Sequence, residues 1–184
     1  QLRAVKGPEE IALLRKAAEL GSLGYDYVLT LLREGITEKE VAFELEFFWR
    51  KKGATGTSFD PIIAFGENSS MPHYRAGNRK LKHGDIALID IGVTLDHYHS
   101  DMTRVQFFGP PSDTLEKVRE IVAEALFKAC ALLKPGVRIG DVDAVARDHI
   151  ASMGYGENFT HSLGHGVGLE IHEYPTLRSN GPSS

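Results

Sequence analysis

LIDIGVTLDHYHSDMTR, residues 88–104, sets two carboxylates into what otherwise reads as buried sheet. Ile86, Ala87, Leu88, Ile89, Ile91 and Val93 form an apolar run, rich in β-branched residues and free of breakers, with Asp90 in its middle. A second strand, about His97 to Phe108, carries Asp101. A two-residue turn at Leu95-Asp96 predicts Asp90 directly opposite Asp101, with Cβ atoms about 5 Å apart. Carboxylates that close repel, and one inside an apolar strand is costly to ionise. Either a shared proton or bound cations would hold them. Nearby histidines favour cations, because Asp and His together suit divalent transition metals. The plainer alternative is a strand-ending Asp90 and an Asp101–Arg104 ion pair.

Outward from this hairpin, the chain reads as helices and short strands. Pro8, Glu9 and Glu10 suit the first turn of a helix whose apolar face is Ile11, Leu14, Ala18, Tyr25, Val28 and Leu32, with a break or kink expected near Gly21 and Gly24. Thr37-Glu38-Lys39-Glu40 is a capping box, with Ile36 and Val41 as its hydrophobic staple. The helix it opens stops at Lys51-Lys52-Gly53. Pro61 to Phe65 is a strand, followed by the loop GENSSMPHY with His73. Beyond Gly109-Pro110-Pro111-Ser112, Asp113 with Glu116 caps a third helix. Its face is Leu115, Val118, Val122, Leu126, Ala129 and Leu133. A fourth helix runs from about Gly140 to Met153.

The order repeats. Leu32-x-x-Gly35 precedes a helix ending at Gly53, and Leu133-x-x-Gly136 precedes one ending at Gly154. Each half then reaches a histidine close to an aromatic, His73-Tyr74 and His172 with Tyr174. The reading is two helix–helix–strand units, about 8–108 and 112–184, in one α+β domain.

Totals narrow the function. A chain of 184 residues with net charge −4 and no basic stripe is not a general nucleic-acid binder. No apolar run has the length of a membrane span and no apolar leader opens the chain, so no membrane association and a cytoplasmic location are expected. Cys130 is the only cysteine and is expected to pack in the core.

HSLGHGVGLEIHEYP, residues 161–175, is the second informative stretch. Its glycines let the backbone turn tightly, so that His165 can point into a cleft. Leu169 to His172 alternates like a strand, placing Glu170 and His172 on one face. The helical HExxH zinc signature is absent. His83, His97, His99 and His149 read as structural.

With MPHY (71–74), D-x-G continuing to S-D-x-T-R (90–104) and G-H-G-V-G-L-E-I-H-E (164–173), nearly the whole chain resembles the pita-bread metallopeptidases. These include Xaa-Pro aminopeptidases, prolidases and methionine aminopeptidases. The SDMTR and LEIHEYP wording is nearer the proline-specific members. The resemblance implies the creatinase/aminopeptidase (pita-bread) fold with a pseudo-two-fold repeat. It implies two divalent metal ions, first Mn²⁺ and otherwise Co²⁺ or Zn²⁺, with Asp90, Asp101 and His165 as ligands. His73, His161 and His172 match histidines that stabilise the transition state and move protons. The implied reaction is hydrolysis of the Xaa-Pro bond, at peptide N-termini or in dipeptides, by a metal-activated water. Its substrates are peptides with proline second, and the enzyme is expected to be a homo-oligomer. Two glutamate ligands of the family fall beyond Ser184. The chain is therefore expected to be an internal piece lacking an N-terminal domain and final strands, weak in metal binding and inactive alone. The alternatives are a methionine aminopeptidase and a non-catalytic pita-bread binding module.

Overall fold

The computed structural model describes residues 2–178. The turn-like end of the chain, and with it the last part of the repeat read over 112–184, lies outside the described residues. Contacts divide the chain into two units. One is Val5–Pro111 together with Val167–Ile171; the other contains Ser112–Gly166, the chain from His172 on, and the residues before Val5. No described helix is long and apolar enough to cross a membrane.

The first unit opens with α1 (Pro8–Leu31) and α2 (Glu38–Lys51). The Thr37 cap forms as the sequence predicts: its hydroxyl accepts from Glu40 N–H (3.2 Å), and Glu40 Oε2 accepts from Thr37 N–H (2.8 Å). The Thr37 hydroxyl also donates to Glu40 Oε2 (2.8 Å), and the two bonds this oxygen accepts from Thr37 hold the Glu40 carboxyl below its usual range. No break occurs at Gly21 or Gly24. α1 runs through both, and its buried seam is Ala17, Leu20, Gly21, Gly24 and Val28, while Ile11 and Ala18 are exposed. The glycines are there for close approach. A Cβ on Gly24 would stand 2.3 Å from Trp49 Nε1. That indole N–H donates to Leu20 O at 3.0 Å, which locks α2 onto α1.

Against these helices lie two antiparallel three-stranded sheets. One is β2 (Ile62–Phe65), β3 (Ile86–Ile91) and β6 (Met102–Phe107), with β3 central; the other is β1 (Gly56–Thr57), β4 (Val93–Leu95) and β5 (Tyr98–His99), with β4 central. Leu45, Trp49, Ile63, Phe65, Leu81, Ile89, Ile91 and Val93 are fully buried and fill the core. Burying side chains of this size supplies about 1.5–3 kcal/mol each.

The second unit has α3 (Asp113–Leu132), α4 (Ile139–Ser152), β7 (Gly164–Gly166) and β8 (Glu173–Leu177), the two strands antiparallel with a bulge between His165 and Gly166. Ser112, not Asp113, caps α3 by accepting from Leu115 N–H. Ile121, Ala125 and Ala129 pack against Val142, Ala146 and Ile150. The face expected from the sequence is therefore displaced: Val122, Leu126 and Leu133 are exposed, and so is Cys130. Alanines one turn apart admit α4 closely, and each residue one position on points about 100° away.

The helix pairs correspond. α2 and α4 are both 14 residues long. Gly35, Gly53, Gly136 and Gly154 all have positive φ with open space at the missing Cβ. They are required for backbone conformation alone.

Candidate active site

Asp90 is on β3, and the ladder pairs it with Thr103 instead of Asp101. The reason is the turn. Asp96 and His97 both have positive φ, 49° and 71°, and Leu95 pairs with Tyr98. A turn placed one residue later than Leu95-Asp96 moves the register by two. Asp101 thus falls at the diagonal position, for which a regular ladder gives about 7–8 Å. Thr103 Oγ1 donates to Asp90 Oδ1 at 2.8 Å, which orients that carboxylate.

Gly92 explains the spacing of the D-x-G and S-D segments. A Cβ there would lie 2.2 Å from Ser100 O. Its absence lets the two strands close, and buried Ser100 accepts Val93 N–H on its hydroxyl (3.1 Å) while donating its own N–H to Val93 O (3.0 Å). Asp101 is the next residue, immediately before β6. In the same unit, His99 N–H donates to Gly168 O at 2.9 Å, so the glycine-rich segment is anchored on β5. The expected strand at Leu169–His172 is instead a series of bends, with Gly168 N–H bonded to Glu170 O.

His73 is exposed, in a turn beyond the short 3-10 helix Gly66–Ser70. Glu38 holds that loop. Its carboxylate is fully buried and accepts four bonds: Phe65 N–H (2.8 Å) and Asn68 Nδ2 (2.9 Å) on Oε1, Tyr74 OH (2.7 Å) and Gly77 N–H (3.0 Å) on Oε2. The bond to Glu38, with burial, pushes the Tyr74 hydroxyl up to about 12. Sequence reading missed Glu38, because an acid in a helix's first turn is the ordinary solvent-facing complement to the dipole.

In the second unit His165 is on β7. Its Nδ1 lies 2.9 Å from Gly166 O; a carbonyl only accepts, so Nδ1 carries the proton and the lone pair is on Nε2. The His165 and His172 rings meet edge-on at 4.3 Å. His161 likewise donates from Nδ1, to Ser162 O at 2.7 Å. The segment carrying it is tied to α4 by Asp143 and Arg147. Asp143 is fully buried, takes Arg147 Nε (2.8 Å) and Nη2 (3.0 Å), and also accepts Leu163 N–H (3.3 Å).

The M24 metallopeptidase family matches residues 12–184. The chain belongs to that family. Among its M24 relatives, the uncharacterized peptidase YqhT of Bacillus subtilis is 43% identical over 177 residues, which is 96% of this chain and 50% of YqhT. The X-Pro aminopeptidase of Thermotoga maritima superposes with a TM-score of 0.96 at 43% identity, covering 100% of this chain and 52% of that one. The prolidase of Pyrococcus furiosus gives 0.96 at 40% identity, over 98% and 53%. The fold is therefore the pita-bread fold, and this chain spans about half the length of these relatives.

M24 membership implies divalent metal ions. Two carboxylates and an imidazole with its lone pair on Nε2 have the donor chemistry for such ions, with the backbone carbonyl behind His165 fixing its tautomer. Among the described residues, no three His, Cys, Asp or Glu side chains stand close enough together to hold a metal ion.

Proposed function

We propose that the protein carrying this chain is a metal-dependent exopeptidase that hydrolyses Xaa-Pro bonds, in dipeptides or at peptide N-termini. The observation that carries this reading is likeness over almost the entire chain to an X-Pro aminopeptidase and to prolidases, at 40–43% identity.

Asp90, Asp101 and His165 are the proposed metal ligands, with Mn²⁺ the first candidate. When bound, divalent ions supply Lewis acidity, activating water at neutral pH and stabilising developing negative charge. The chain's own residues do the rest. Thr103 fixes the Asp90 carboxylate, and the Gly166 carbonyl fixes the His165 ring. His73, His161 and His172 hydrogen-bond the tetrahedral intermediate and deliver a proton to the departing proline nitrogen. An imidazole with its proton on Nδ1, as in His161, accepts through Nε2 when neutral and donates through it when protonated. A tertiary Xaa-Pro amide offers no N–H, so selectivity comes from the shape around the proline ring and from capture of the free amino end.

The test is hydrolysis of Xaa-Pro and Met-Ala peptides by the intact protein with added Mn²⁺. The expected outcome is Xaa release from the proline substrates and no cleavage of Met-Ala. Asp101→Asn should reduce turnover to background and lower the bound metal measured after dialysis. Preferential cleavage of Met-Ala would point to a methionine aminopeptidase, and peptide binding without turnover to a binding module. Residues 1–184 alone, with three proposed ligands, are expected to show no turnover.

A further inference from the structure

We propose that Arg147 is a positioning residue for His161. The inference rests on the reading above, in which His161 acts at the reacting centre. Arg147 lies on α4, and Asp143 one turn earlier holds it through two charge-assisted bonds. That pair already satisfies the buried carboxylate, yet the guanidinium goes further. Nη1 donates to Phe159 O at 2.7 Å, and Nη2 donates to the carbonyl of His161 itself at 2.9 Å. These two acceptors bracket Thr160 and fix the backbone that enters His161.

The same group also reaches the ring. The Arg147 guanidinium stands 4.3 Å over the Phe159 ring. Phe159 in turn meets the His161 imidazole edge-on, at 4.8 Å and 86°. His161 is thereby held from both sides: its carbonyl by Arg147 directly, its ring by Phe159 resting on Arg147. With these in place, Nδ1–H is directed to Ser162 O. A lysine keeps the charge but has no planar fork with which to bond Asp143 and two carbonyls together.

The experiment is a kinetic cycle in the intact protein. Arg147→Gln should lower kcat about 10- to 100-fold, the range for a misplaced catalytic group, with KM little changed. In a His161→Ala background the same substitution should cost less than about twofold, because the group it positions is gone. Phe159→Leu leaves the Asp143–Arg147 pair intact and should show the same non-additivity, which keeps the test available if Arg147→Gln does not fold. A readout independent of activity is the His161 tautomer, followed by long-range ¹H–¹⁵N correlation in metal-free protein: Nδ1-protonated in the parent, averaged in the variant. A kcat loss of equal size with and without His161, or an unmoved tautomer signature, overturns the proposal. If His161→Ala itself leaves turnover intact, what fails is the catalytic role assigned to His161.

Discussion

Two buried carboxylates each accept bonds from a segment that carries a histidine: Glu38 from Asn68, Tyr74 and Gly77 around His73, and Asp143 from Leu163 beside His161, with Arg147 of its own helix completing the set. Burying a carboxylate is costly unless hydrogen bonds replace its water. Glu38→Gln presents an amide N–H₂ to some of the four donors now bonded to Glu38, so about 2–4 kcal/mol of stability should be lost in urea titration. The change also has a spectroscopic signature. Tyr74, pushed up to about 12 mainly by its bond to that carboxylate and further by burial, should ionise at lower pH in the variant, shifted toward its usual value of about 10, read as tyrosinate absorbance. The sign follows from linkage. A folded-state value above the unfolded one stabilises below about pH 10, and the contribution is lost as pH rises toward 12. Glu40 runs the other way. With its folded value depressed, its contribution is present above the ordinary carboxylate range and fades on acidification through the lowered value. Neither buried acid was legible in the sequence, because an acid in the first turns of a helix looks the same whether it faces water or a loop.

At the scale of elements, glycines separate two kinds of constraint. Gly24→Ala would force a methyl into the Trp49 indole. Overpacking of about 1–3 kcal/mol should outweigh the roughly 1 kcal/mol gained in helix propensity. The emission of Trp49, the chain's single tryptophan, should shift as its bond to Leu20 opens. Gly35→Ala meets nothing within 4 Å, but φ is +85°, so a conformational cost of about 1–2 kcal/mol is expected with Trp49 emission unchanged. The helices, their stops and the apolar strands were readable because caps, breakers and periodicity are local. Register was not. The turn in TLDHYH requires a non-glycine histidine at φ 71°, which sequence rules place low, and misplacing it by one residue put Asp101 opposite Asp90 instead of diagonal to it. Exposure on α3 failed for a related reason. Its apolar positions outnumber those α4 covers, and pattern alone does not say which seam is used.

For the molecule as a whole, family and fold were legible because the carboxylate and histidine segments are distinctive in spacing. Which residues compose each unit was not, and it has a practical consequence. The chain before Val5 belongs to the second unit, where Arg3 lies 3.6 Å from Glu173, while Val167–Ile171 belongs to the first, tied to His99 through Gly168. Each half of the sequence thus lends a short piece of backbone to the other half's unit. If the chain is nicked in the Gly109–Ser112 connection, the fragments should co-elute on size exclusion instead of separating. Two such fragments expressed apart should reassemble as a split protein, and deleting 167–171 from the downstream one should abolish that complementation.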